Sequence, residues 1–148
     1  MPSEENKAAV RRLYETILNE RAYDRLSEVI SGAYVGVRAE NGPAGFADTV
    51  RGLVAGFPDI RWQVENLIAE NDQVAVEWSW RGTHTGTFRN FPPTQKSVVD
   101  HAAVVYRFDE SGKIVAATLH TDRLGFLQQI GLVPELPSPQ SSGTSPRQ

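Results

Sequence analysis

The sequence predicts an α+β domain in which helices cover one face of a curved antiparallel sheet. Apolar residues recur at helical spacing up to Phe57, and after Pro58 they alternate with polar ones. That order, helices first and strands afterwards with no internal repeat, favours segregated layers over alternating βα units.

Each element has its own signal. From Glu4 to about Glu20, the residues Val10, Leu13, Tyr14, Ile17 and Leu18 fall on one helical stripe. A shorter helix over about Tyr23 to Ile30 is stopped by Ser31-Gly32. A third helix begins at Gly42-Pro43, with proline in its first turn, and presents Phe46, Val50, Leu53, Val54 and Phe57 before Pro58. Ile60, Trp62 and Val64 then alternate with Arg61, Gln63 and Glu65. In the second strand Val74, Val76, Trp78 and Trp80 alternate with Ala75, Glu77, Ser79 and Arg81. A third strand spans about Ser97 to Phe108 and a fourth about Lys113 to His120, joined by Asp109-Glu110-Ser111-Gly112. A short helix, Leu124 to Ile130, completes a domain read as residues 1–132. From Val133 onward proline alternates with small polar residues, so 133–148 reads as a disordered tail.

The chain has 148 residues, a net charge of -3, 40% apolar and 22% charged residues, and no cysteine. One domain of this size can bury a core without staples. The absence of cysteine excludes disulfide scaffolds, thiolate metal sites and a thiol nucleophile. An acidic pI near 5.6 gives no basic stripe for nucleic acid. No apolar run reaches the roughly 20 residues of a membrane span, and the acidic, polar start lacks the pattern of a secretion signal. A cytoplasmic protein with neither a membrane nor a nucleic-acid partner is expected.

Helices on a strongly curved sheet leave a cone-shaped hollow, lined by the inward residues. Alternation brings Trp62, Trp78 and Trp80 there, and on the fourth strand Ile114, Ala116, Thr118, His120 and Asp122 share one face by twos. Such a lining suits a flat, mostly apolar small molecule, although each tryptophan could equally fill a core. Asp122, with His120 two residues before it, is the strongest local candidate for proton transfer. A carboxyl facing an apolar hollow has its charged form disfavoured and its pKa raised. On the residues alone, the favoured reading of Asp122 is the cap of the helix that follows it. His101 opens the third strand, and His84 sits in the Gly82-Thr83-His84-Thr85-Gly86 loop near the hollow's rim. His120-Thr121-Asp122 also has the H-x-D form of a facial triad, which His84 or His101 could complete. No metalloprotease motif, glycine-rich nucleotide loop or serine elbow occurs. The expectation is acid/base chemistry without cofactor or metal, or chemistry that borrows a cofactor from elsewhere.

Several segments are similar to the SnoaL-like polyketide cyclase family of the nuclear-transport-factor-two-like superfamily. They include Asn6-Lys7-Ala8-Ala9-Val10-Arg11-Arg12-Leu13-Tyr14-Glu15, Phe57-Pro58-Asp59-Ile60-Arg61, Arg81-Gly82-Thr83-His84-Thr85-Gly86-Thr87-Phe88, Pro92-Pro93-Thr94 and Tyr106-Arg107-Phe108. The most specific is Asp122-Arg123-Leu124-Gly125-Phe126-Leu127-Gln128-Gln129-Ile130-Gly131. The resemblance spans about Glu5 to Gly131. It implies a cone-shaped α+β barrel with one open end, and enzymes that close a ring in an aromatic polyketide by an intramolecular aldol step, without metal or cofactor. It places the general acid/base on Asp122, with His120 beside it. Trp62, Trp78, Trp80, His84, His101, Thr118, Tyr34 and Phe46 are the expected substrate-contacting residues. It further implies sheet-to-sheet homodimers, and it extends to accessory proteins of polyketide hydroxylation and to non-catalytic binding modules of the same fold. The sequence departs from the family at Tyr34–Asn41, where many members carry an Asp-His-Asp-Pro-like segment. It also departs at Thr118 and His120, where tryptophan and an acid are common.

Overall fold

A computed structural model describes residues 2–134 of the chain. Most of the expected tail, 133–148, therefore lies outside the described residues. The first helix, α1 (Pro2–Arg12), runs straight into a π-helical turn over Leu13–Leu18, and a 3-10 turn follows at Tyr23–Glu28. The stripe read from the sequence is the buried one: Val10, Leu13, Ile17 and Leu18 are all closed to solvent. The wider π turn carries Tyr14, turned toward the sheet.

The chain then forms β1 (Ile30–Val35), α2 (Gly42–Gly56), β2 (Arg61–Glu70), β3 (Gln73–Thr83), β4 (Ser97–Phe108), β5 (Ile114–Thr121) and α3 (Arg123–Gln129). The sheet order is β1-β5-β4-β3-β2, antiparallel throughout except that β1 runs parallel to β5 at the edge. The expected sheet lacks this fifth strand. β1 is short, and Ser31-Gly32, read as a stop signal, lies inside it.

The core fills the space between the helices and the inner sheet face. On β4 the alternation is unbroken: Val98, Asp100, Ala102, Val104, Tyr106 and Phe108 point inward, and their neighbours face out. Two strands break step. Val64 pairs with Trp78 and Asn66 with Glu77, so β2 carries an extra residue at Glu65. Phe108 pairs with Ile114 and Arg107 with Ala116, so β5 carries one at Val115. Each is a bulge, which sharpens the local twist and swaps which side of the sheet later residues face.

The bulge at Val115 corrects the expected face of β5. Ile114 is buried as expected, but beyond Val115 the inward residues are Ala117, Leu119 and Thr121. Thr118 and His120 are consequently exposed on the outer face. They stand across from Val105 and Ala103 of β4.

Loops are tied down by specific contacts. The Asn19 side chain accepts from the Trp62 N–H at 2.8 Å and donates to the Trp62 carbonyl at 3.0 Å, clasping the π turn to β2. A methyl group on Gly86 would lie 1.9 Å from the Ala55 carbonyl oxygen, so only glycine lets the β3–β4 loop lie against the end of α2.

Candidate active site

The helices and the inner sheet face enclose a chamber of about 630 Å³, within the range of small-molecule sites. Aromatic side chains from several elements line it. Trp62, Trp78 and Trp80 come from the sheet, Tyr34 from β1, Phe46 from α2 and Phe126 from α3. These include five of the residues expected from the sequence to contact substrate. The three tryptophans therefore do both jobs weighed for them: Trp62 and Trp80 belong to the buried core, and all three form chamber wall.

At its closed end two tyrosines meet. The hydroxyls of Tyr14 and Tyr106 form a short hydrogen bond, and both rings are buried. Burial pushes Tyr14 up to about 12, against the pull of the Tyr106 hydroxyl and the Trp78 indole. Tyr106 is raised well above its ordinary value, again chiefly by burial. Tyr34 is also raised by burial, with help from the negative charge of Glu40. These phenols hold their protons and present neutral O–H groups. The Trp78 Nε1–H lies near the Tyr14 hydroxyl but makes no well-formed hydrogen bond within the protein.

The buried acid of the chamber wall is Asp100, 9% exposed on β4 and across from Trp80. Burial raises its pKa above the usual carboxylate range, opposed by the His101 backbone N–H and the Thr121 hydroxyl. Thr121 Oγ1 lies 3.4 Å from Asp100 Oδ2 and donates to the His101 carbonyl at 3.0 Å. Two other acids border the chamber and are engaged elsewhere: Glu40 accepts from the Arg38 N–H at 2.7 Å, and Asp48 pairs with Arg51 at 3.3 Å.

Asp122 takes the capping position. Its Oδ1 accepts from the Gly125 N–H at 2.9 Å, and a methyl group on Gly125 would collide with that carboxylate at 2.2 Å. Its side chain is exposed and borders a shallow groove on the outer sheet face, together with His101, His120, Glu65 and Glu77. His101, Thr118, His120 and Asp122 thus stand outside the chamber.

His84 is fully buried behind the chamber and does not line it. Its ring stacks on Phe57 with centroids 5.0 Å apart. Nδ1 accepts from the Thr94 N–H at 3.3 Å and lies 3.0 Å from the Thr94 hydroxyl. Nδ1 is therefore the unprotonated nitrogen, and Nε2–H points into the core without an acceptor. The backbone of His84 exchanges hydrogen bonds with Lys96 and Gln95, so the residue pins both ends of the loop that forms one chamber wall. Among the described residues no three of His, Cys, Asp and Glu come together in a metal-holding group. His84 is separated by the sheet from His101 and His120.

Sequence reading missed Asp100 and Thr121. The signal for Asp100 was available, because strict alternation through Val98, Ala102, Val104 and Tyr106 places an acid in the apolar phase. Thr121 had no such signal, since its orientation depends on the Val115 bulge.

Comparison with known proteins agrees with this fold. The family model described as SnoaL-like polyketide cyclase matches residues 8–130. The chain is similar to AclR, a candidate hydroxylase from Streptomyces galilaeus, at 25% identity, covering 91% of this chain and 86% of that one with a TM-score of 0.78. A candidate polyketide cyclase from Acidithiobacillus ferrooxidans is 28% identical over 85% of this chain and 94% of its own, with a TM-score of 0.75. IdmH, a candidate polyketide cyclase from Streptomyces antibioticus, is 25% identical over 85% and 98%, with a TM-score of 0.72. No curated protein matches the chain.

Proposed function

The chain belongs to the SnoaL-like polyketide cyclase family, and from that premise we propose that it closes a ring in an aromatic polyketide or similar polycyclic ketone by an intramolecular aldol step. The observation that carries this reading is Asp100, a carboxyl of raised pKa buried in the wall of an aromatic chamber. Raising a carboxyl's pKa brings its two protonation states closer in energy near neutral pH, so it can take a proton and return it.

Asp100 removes a proton from a carbon held between two carbonyls. The resulting enolate attacks a second carbonyl of the same molecule, a carbon–carbon bond forms, and the carbonyl π bond breaks. The new alkoxide takes its proton from Asp100, which returns to the carboxylate. The neutral Tyr14–Tyr106 pair lies six residues along β4 from Asp100 and offers a hydroxyl donor at the closed end, for a carbonyl of the substrate remote from the reacting carbon. The aromatic walls hold a flat substrate in a folded pose and keep water away from the enolate.

The test is turnover of a linear or partly cyclised polyketide, offered both as the free acid and as its methyl ester, followed by chromatography and mass. Aldol closure leaves the mass unchanged, or lowers it by water if the alcohol eliminates. Similarity to AclR favours a second reading, hydroxylation in the same chamber, in which one atom of molecular oxygen enters the substrate and the other leaves as water at the expense of a two-electron reductant supplied from solution. A product heavier by one oxygen, with no ring formed, selects that reading and discards the cyclase. We place the protein in the cytoplasm as a homodimer joined through the outer sheet face, where Val99 and Val105 stand exposed. A monomer mass by light scattering across concentrations removes the dimer.

A further inference from the structure

The chamber's open end carries an unusual set of charges. Three arginines from three separate segments line it: Arg38 from the β1–α2 loop, Arg89 from the β3–β4 loop and Arg123 from the first residue of α3. All three are exposed at the mouth. Among the described residues, the ion pairs use Lys7, Arg11, Arg25 and Arg51, and none uses these three. Glu40 and Asp48 border the same chamber, but neither is ion-paired with these arginines: Glu40 accepts from the Arg38 backbone N–H and Asp48 pairs with Arg51.

Three like charges gathered without carboxylate partners raise the energy of the unliganded protein. The hold of Arg89 on its proton is weakened first by partial burial and then by the charges of Arg38 and Arg123. Arg89 is also held in a costly conformation. Its backbone φ is 52°, in the left-handed region that non-glycine residues avoid, and its guanidinium lies 5.2 Å from the Phe88 ring centroid. The chain as a whole is acidic, with a net charge of -3, so the cluster is not part of a generally basic surface. Guanidinium groups suit planar oxyanions, which they meet with paired N–H donors.

We infer that Arg38, Arg89 and Arg123 form an oxyanion clamp, and that the ligand of this chamber is a flat polycyclic ketone bearing a free carboxylate that stays at the mouth while the rings enter. The inference rests on the proposed small-molecule function of the chamber and narrows its substrate to acids over their esters. Anchoring one end also fixes how deeply the rings enter, and hence which carbon lies beside Asp100.

The test uses anthraquinone-2-carboxylate and its methyl ester as probes, with binding to the whole chain followed by tryptophan fluorescence and calorimetry. The acid is expected to bind about tenfold more tightly than the ester at low salt, an advantage that shrinks as salt is raised. In the Arg38→Gln/Arg89→Gln/Arg123→Gln variant the preference should fall to near unity while the ester's Kd stays where it was. The unchanged ester Kd is the control that the chamber has kept its shape. In Asp100→Asn the acid preference should persist. Equal binding of acid and ester by the unaltered protein, or a preference that survives in the triple variant, overturns the clamp and leaves the chamber reading standing. If neither probe binds at any salt concentration, the chamber reading falls and takes the clamp with it.

Discussion

Replacing Asp100 by asparagine keeps the size of the side chain and an oxygen toward Thr121, but removes the group that exchanges a proton. A positioned general acid/base contributes on the order of 10²- to 10⁴-fold to rate, or about 3–5 kcal/mol of barrier. Turnover of Asp100→Asn should fall by that factor with little change in substrate binding. The unaltered enzyme should lose activity as pH falls through the Asp100 pKa, which burial has raised from 3.8, and the variant should lack that limb. Stability should move the other way. The folded pKa lies above the unfolded one, so folding is favoured while the group is protonated, and that advantage is lost as pH rises through the folded value. At neutral pH the buried charge is a burden, which the amide relieves by about 1 kcal/mol after discounting for the solvent that still reaches the wall. For a chain of this length that is about 2–4 °C in Tm, and the gain should vanish in acid, where both side chains are neutral. Steady-state kinetics and thermal unfolding over pH test both halves. Full turnover by Asp100→Asn, or abolished turnover in Asp122→Asn alone, refutes the assignment of the acid/base role to Asp100.

Asp122→Ala removes the cap of α3 and should cost about 1 kcal/mol in urea unfolding while leaving turnover within about twofold. Tyr14→Phe leaves the Tyr106 hydroxyl buried without its partner and should cost about 1–3 kcal/mol, whereas Tyr14→Phe/Tyr106→Phe should cost less than the two single changes summed. Because the Tyr14 pKa is held at about 12, its contribution is complete below the unfolded value of 10 and is lost between there and 12; alkaline unfolding monitored by tyrosinate absorbance should show this, and the double variant should blunt it. Ile114→Ala, in the filled half of the sheet, should cost about 2–5 kcal/mol, and Leu119→Ala, whose side chain already borders the chamber, markedly less. Equal losses at the two sites in urea unfolding would mean that the chamber is packed shut.

Strand β4 was legible almost to the residue because its alternation runs from Ser97 to Phe108 without interruption. The stripe of the first helix was equally clear, although nothing in Leu13–Leu18 marks the passage from α to π winding. The aromatic chamber lining followed from alternation on β2 and β3. Alternation failed on β5 because a bulge is a property of pairing between two strands. Val115 is an ordinary strand residue, and only its register against Arg107 and Phe108 makes it surplus. That single residue moved His120 and Asp122 to the outer face and left the role of chamber acid to Asp100. The parallel strand β1 was hidden for a related reason. Its partner β5 lies some eighty positions later, and Gly32 weakens its local preference.

The two bulges also explain how one sheet can be half core and half chamber. On β3, Val74 and Val76 are closed to solvent, whereas Trp78 and Trp80 line the chamber. On β5, Ile114 is closed and Ala117, Leu119 and Thr121 line it. Both bulges, at Glu65 and Val115, fall at this boundary. The added twist splays the far ends of the strands away from the helices, leaving a space that small and medium side chains do not fill. Stability can therefore rest on the near half, on Val74, Val76 and Ile114, while the far half is free to carry an ill-solvated carboxyl, the unpartnered Trp78 N–H and crowded arginines. Such groups oppose folding, and they persist where the rest of the molecule fixes their positions.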